Sequence, residues 1–215
     1  MDELFQTNQR SLSQARSGKW KDLRNLDLQY ANLYQADLRD ASLLDANLYR
    51  ANLRHADLRN ADMRQCSMRK AELYRANLSH ANLNKANLSA ADLYCANLCD
   101  AHLYFTELCD ANLSRAKLNR ARLSSVNLNR SNLMMASLVS ARLAKAFLST
   151  ANLSGADLEG ANLYGACMCD ADLRDANFNN ANLMNANMEG VRVFISSLSN
   201  ACLSESTVNQ IMANQ

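Results

Sequence analysis

Three histidines, seven cysteines and one run of cations are the residues of this chain whose types could do chemistry. A nucleophile or general base needs a histidine or its equivalent within hydrogen-bond reach of partners. His55, His80 and His102 are widely separated, and no metal-ligand spacing joins them to the cysteines. Cys167-x-Cys169 has the spacing of half a metal site but no second pair at zinc-finger distance, and Cys95-x3-Cys99 is equally isolated. No glycine-rich phosphate loop and no nucleophile elbow occurs. These residues are expected to decorate a surface, and the chain is expected to be neither an enzyme nor a metal or cofactor protein.

The cations are more informative. The net charge of +2 hides three blocks. Residues 1–110 balance 14 basic against 14 acidic side chains. Residues 111–156 hold seven bases and no acid: Arg115, Lys117, Arg120, Arg122, Arg130, Arg142 and Lys145. Residues 157–215 carry seven acids against two arginines. An uncompensated cationic band attracts anionic surfaces.

What must position these groups is a five-residue repeat. From Leu23 to Leu203 a large apolar residue recurs without insertion at 37 successive centres, 31 of them Leu. With that residue as position i, i−2 is Ala at 29 of 35 sites from Ala31 to Ala201, and i−1 is Asn or Asp at 23 of 37. An α-helix would spiral such leucines around its surface, and a flat strand would send them to alternate faces. Both i and i−2 point inward only if the chain turns a corner in every repeat, which makes a solenoid. The short Asn and Asp side chains are expected to bond backbone groups that a cornering chain leaves open. Gly155, Gly160, Gly165 and Gly190 all fall at i+2, which points to a positive φ at some of those corners. All seven tyrosines fall at i+1 or i+2, so those positions, Ser114 among them, are read as outward.

The stretch AELYR ANLSH ANLNK ANLSA ADLYC ANL, from Ala71 to Leu98, and its continuation over some 180 residues resemble the A(D/N)LXX tandem repeats of the pentapeptide-repeat proteins. The resemblance implies an all-β solenoid, a right-handed quadrilateral β-helix with four pentads per coil and about nine coils. At the ~4.8 Å spacing of paired strands, such a rod is roughly 45 Å long. Folded that way, Tyr34, Arg54, Tyr74 and Tyr94 form an aromatic and cationic column that either stabilises the surface or recognises a ligand. Arg122 and Arg142 stack directly, a like-charge pair that costs stability. Arg115, Lys117, Arg120, Arg122, Arg142 and Lys145 gather around one corner, whereas Arg130 points elsewhere. The solvated-face and binding-site readings of that band both stand.

The expected organisation is an N-terminal helical cap over 1–20, the repeat rod over 21–205 and a C-terminal cap helix over 206–215. In that helix Val208, Ile211 and Met212 share helical spacing, so a homodimer through this end is the alternative to capping. Proline is absent, as it must be where nearly every backbone N–H pairs between rungs. No apolar run approaches the ~20 residues of a membrane span. An odd number of scattered cysteines and a polar N-terminus point to reduced thiols in a cytoplasmic protein. The expected function is a non-enzymatic scaffold offering rigid faces to a macromolecule, chiefly a protein with an acidic surface. Members of the family linked to quinolone resistance resemble duplex DNA and bind DNA gyrase. The basic middle disfavours that alternative, and nothing resembles a base-reading motif for nucleic acid.

Overall fold

Each i−1 residue pairs in parallel with the residue twenty positions on, Asp22 with Ser42 and Asn182 with Cys202 among them. The computed structural model describes residues 17, 19 and 21–213. Twenty residues, four pentads, therefore make one coil of a β-solenoid with four faces. Face 1 runs in steps of twenty from Asp22 to Cys202, face 2 from Asp27 to Asn187, face 3 from Asn32 to Arg192 and face 4 from Asp37 to Asn177.

A pentad with Asn or Asp at i−1 can satisfy all five of its amides. In the pentad of Leu48, Asn47 N–H donates to Leu26 O, Leu48 N–H to Ser67 O, Arg50 N–H to Arg69 O and Ala51 N–H to Leu48 O, at 2.7–3.0 Å. Three of these bonds run between coils and the fourth closes the corner. The fifth amide, that of Tyr49, donates to Asn47 Oδ1 at 3.2 Å. The Asn or Asp of the repeat is therefore an internal acceptor for the one N–H that the backbone cannot serve.

The corner itself is left-handed. Every i+2 residue from Asn25 to Gly190 has a φ between 54° and 69°, and 30 of these 34 are not glycine. A positive φ at the second central residue is the signature of a type II turn. It costs a non-glycine residue about 1 kcal/mol or more. Glycines marked only four of these corners, so the sequence understated a rule that holds at all of them. The strain is imposed by two hydrogen bonds per corner and by the buried pair on either side. At Gly190 a Cβ would run into the Asp170 carboxylate, which would have to move aside.

The interior is a continuous column of leucine and alanine, almost all without solvent exposure. Each buried Leu side chain contributes roughly 1.5–3 kcal/mol. Phe178 is fully enclosed, so the tube does admit a phenyl ring at i. Polar departures at i−2 find carbonyls: Thr106 Oγ1 donates to Leu83 O at 2.8 Å and Ser131 Oγ to Leu128 O at 2.6 Å. The Cys66 thiol donates to Leu43 O, and burial pushes its pKa up to about 12.

At the C-terminal end the pairing stops on face 4, where a 3-10 turn at Ile195–Leu198 replaces the pentad corner. Helix α1, Glu205–Ala213, follows. Ser204 accepts from Thr207 N–H at 3.3 Å and acts as its N-cap. Thr207 Oγ1 donates to Ala186 O, and Gln210 Oε1 accepts from Met188 N–H, so the helix serves backbone groups at the open end of the rod. Thr207 and Ile211 are buried, but Val208 and Met212 are 40% and 59% exposed, so the three apolar residues do not act as one face. The N-terminal cap expected over 1–20 lies, save for Ser17 and Lys19, outside the described residues.

The outward assignment of i+1 needs correction at two serines, Ser79 and Ser114, both of them buried. Ser114 at i+1 is only 4% exposed, between Tyr94 and Met134 in its column, with Oγ on Asn112 Oδ1 at 2.6 Å. Leu113→Lys should unfold or aggregate the protein, because it drives an unpartnered charge into the tube. Met135→Lys, at an exposed corner, should shift the melting temperature by no more than a few degrees. Equal thermal melts for the two variants would contradict the inward and outward assignment.

Candidate binding surface

On faces 1, 3 and 4 a recurring surface motif is a self-neutralised pentad. Asp22–Arg24, Asp57–Arg59, Asp62–Arg64 and Asp172–Arg174 are i−1 to i+1 pairs with N···O distances of 2.6–2.7 Å. The same aspartates accept the i+1 N–H. The arginine bonds hold Asp57 and Asp62 below the usual carboxylate range, and Asp22 at about 2.

The basic band departs from this motif, though less uniformly than its sequence indicated. Arg120 reaches one coil back to Asp100 in a two-bond pair of 2.9 and 2.7 Å. Arg130 does the same with Asp110 at 2.7 and 2.8 Å. Both acids precede the acid-free stretch, so counting charges along the chain missed them; a twenty-residue offset is the signal that finds them. Arg120 is accordingly removed from the set of free cations. Arg115, Lys117, Arg122, Arg142 and Lys145 have no carboxylate within 4 Å among the described residues. They occupy faces 4 and 1 and the adjoining corners, with Arg122 and Arg142 paired on face 1.

These arginines also forfeit an internal bond. At three pentads where i−1 does not serve the i+1 amide, an Asn at i+1 of the preceding coil substitutes. Asn84 serves Tyr104 N–H at 2.9 Å, Asn119 serves Val139 at 3.1 Å and Asn129 serves Ser149 at 2.9 Å. No such bond reaches the amides of Asn119, Ser124 and Ala144, which follow Lys117, Arg122 and Arg142, among the described residues.

Arg54, Tyr74 and Tyr94 of the aromatic column are in contact, and two further residues join them. Tyr74 and Tyr94 stack at 5.8 Å with planes 2° apart, and the Arg54 guanidinium lies 5.6 Å from the Tyr74 ring. His55, at i+2, inserts edge-on between Tyr34 and Tyr74 at 5.8 and 5.3 Å, and Arg75 covers Tyr74 from the other side at 5.2 Å. The reading of i+1 alone passed over His55 and Arg75. A second cluster, Tyr30 with Tyr49 and Arg50, stands at the neighbouring corner.

His80 and His102 lie on the corner and face below Arg122. Burial lowers the His102 pKa most, followed by the charges of Arg122 and His80. Among the described residues no three His, Cys, Asp or Glu side chains gather as metal ligands, and no helix is long and apolar enough to cross a membrane. The Cys167 and Cys169 thiols, isolated in the sequence reading, are 3.5 Å apart.

A four-faced solenoid of A(D/N)LXX pentads defines a class of repeat protein. The family model described as pentapeptide repeats matches eight copies, over residues 22–54, 46–84, 71–104, 96–133, 136–175 and 151–190. The chain belongs to the pentapeptide-repeat family. It is similar to the crystal structure of HetL, a pentapeptide repeat protein involved in heterocyst differentiation regulation from the cyanobacterium Nostoc sp. strain PCC 7120. That likeness has 31% identity, covers 91% of this chain and 92% of that one, and has a TM-score of 0.64. A trypsin-treated form of QnrB1, a plasmid-mediated fluoroquinolone resistance protein, shares the fold at 18% identity, over 90% of this chain and 95% of that one, with a TM-score of 0.50. Among curated proteins none matches.

The depressed aspartates and His102 fix the pH profile. A depressed carboxylate contributes stability that is complete above its unfolded pKa near 4 and is lost as pH falls through its folded value. For His102 the unfolded chain takes up the proton first, so stability also declines as pH drops below about 6.5. Thermal melts should show a shallow decline below about pH 6.5 and a steep one below about 4. His102→Asn should remove only the shallow step. Its persistence in that variant would contradict the assignment.

Proposed function

We propose that the protein is a non-enzymatic scaffold that binds an acidic protein surface through Arg122 and Arg142 on face 1, with Arg115, Lys117 and Lys145 around them. The observation that carries this reading is the pair itself. Aspartate–arginine pairs neutralise the repeat at other coils, but here two arginines occupy successive acceptor positions, without a carboxylate within 4 Å among the described residues. Each forfeits an internal hydrogen bond worth about 1 kcal/mol and repels the other. A cost incurred twice in succession on one face is the mark of a surface kept for something else.

The involvement of HetL in heterocyst differentiation regulation supports a regulatory, non-catalytic role for this chain. The duplex-DNA mimic that binds a topoisomerase gains no support from this surface, because its middle coils present cations. Around this site we take the rod to have its family's right-handed sense and about nine coils, α1 to act as the C-terminal cap, and the compartment to be the cytoplasm. The end beyond α1, where Phe194, Ile195, Val208 and Met212 are exposed, is the surface left for a second copy.

The test replaces Lys117, Arg122 and Arg142 with Asn. Recovery of partners from native cell extract should fall at low salt to the level the wild type shows at high salt, since exposed attraction fades as the ~8–10 Å screening length shortens. The variant should also melt higher, by about 1–2 kcal/mol of added stability from restored acceptors and relieved repulsion. Undiminished recovery with unchanged salt dependence would overturn the site.

A further inference from the structure

Cys167 and Cys169 flank Met168 at the corner between faces 2 and 3. Cys167 occupies i−1, where Asn or Asp elsewhere accepts the i+1 N–H, and so it presents a sulfur to a backbone corner shaped for an anion or a lone pair. The Ser149 hydroxyl, one coil back, is 3.3 Å from the Cys167 sulfur, and the Cys169 sulfur is 3.5 Å from it on the other side. Both thiols are partly exposed. Phe147 pairs with Cys167 across the coil boundary and lines the same face. The pair thus has two sulfurs converging at one point, a hydroxyl that orients the first, an apolar neighbour and open access.

We propose that Cys167 and Cys169 form a two-thiolate site for a soft cation of low coordination number, of the Cu(I) class. Thiolates select Cu(I), zinc or iron–sulfur clusters. Zinc takes three or four protein ligands, and among the described residues no third His, Cys, Asp or Glu completes the pair. Two thiolates satisfy Cu(I). Both S–H bonds break, two copper–sulfur bonds form, two protons pass to water, and copper keeps its oxidation state. Ser149 is a positioning residue.

The experiment uses the full chain, reduced and free of oxygen, with Cys95, Cys99, Cys109 and Cys202 changed to Ser so that this pair holds the only outward thiols. Titration with Cu(I) against a chromophoric competing chelator should show a single equivalent bound. Cys167→Ser and Cys169→Ser should each weaken binding by more than about 100-fold, beyond the loss of a supporting group, and Ser149→Ala by about tenfold. Circular dichroism should show all variants folded alike. Parent affinity retained by the double Cys167→Ser, Cys169→Ser variant would overturn the site. So would a parent chain that takes up zinc and leaves Cu(I) with the chelator.

Discussion

Five amides per pentad must be satisfied, and four can be satisfied by backbone. That single count organises the molecule. Coil-to-coil bonds at i−1, i and i+2 set the twenty-residue repeat, and the corner bond at i−2 closes each turn. The amide at i+1 depends on a side chain, which is why Asn and Asp recur at i−1. The same geometry forces a left-handed residue at every corner from Asn25 to Gly190, and it excludes proline throughout. Leucine and alanine fill the space that results. The hydrophobic effect supplies much of the stability, but the amide count dictates where the apolar residues must stand.

Because coils stack in register, side chains twenty residues apart are neighbours. This has consequences that a linear reading cannot show. Arg120 and Arg130 look like members of an acid-free band, yet each meets an aspartate of the coil before. Asn84, Asn119 and Asn129 look like free choices at i+1, yet each rescues an amide one coil on. What remains after those offsets is a smaller cationic surface than the sequence shows, centred on Arg122 and Arg142. Its selection rests on two independent losses, the repulsion of stacked guanidinium groups and the missing acceptors at i−1.

The fold was legible because its period is odd and unbroken: the register of Leu23 to Leu203 assigns inside and outside directly, and Ala at i−2 confirms it. Tyr34, Arg54, Tyr74 and Tyr94 were placed in one column by that register together with the four pentads per coil that the family resemblance implied. His55 escaped because it sits at i+2, where the side chain leans across the corner into the i+1 column. Ser114 was read as exposed because its position is outward; it is covered because small side chains sink between large ones in the same column. The left-handed corners were visible only where glycine occupied them, since Arg, Lys, Met or Phe at i+2 gives no sign of a positive φ. The Cys167–Cys169 contact follows from the corner bringing i−1 and i+1 side chains together, which spacing alone does not reveal.

Amide hydrogen exchange read residue by residue tests the amide count most directly. Protection should repeat every five residues along the rod, with the i+1 amides exchanging fastest and those at i−1, i and i+2 slowest, since the latter open only when coils separate. Within the i+1 class, Ser124 and Ala144 should exchange faster than Tyr49 or Ser79, whose amides have an asparagine oxygen as partner. Protection without a five-residue period, or i+1 amides as slow as their neighbours, would contradict the account.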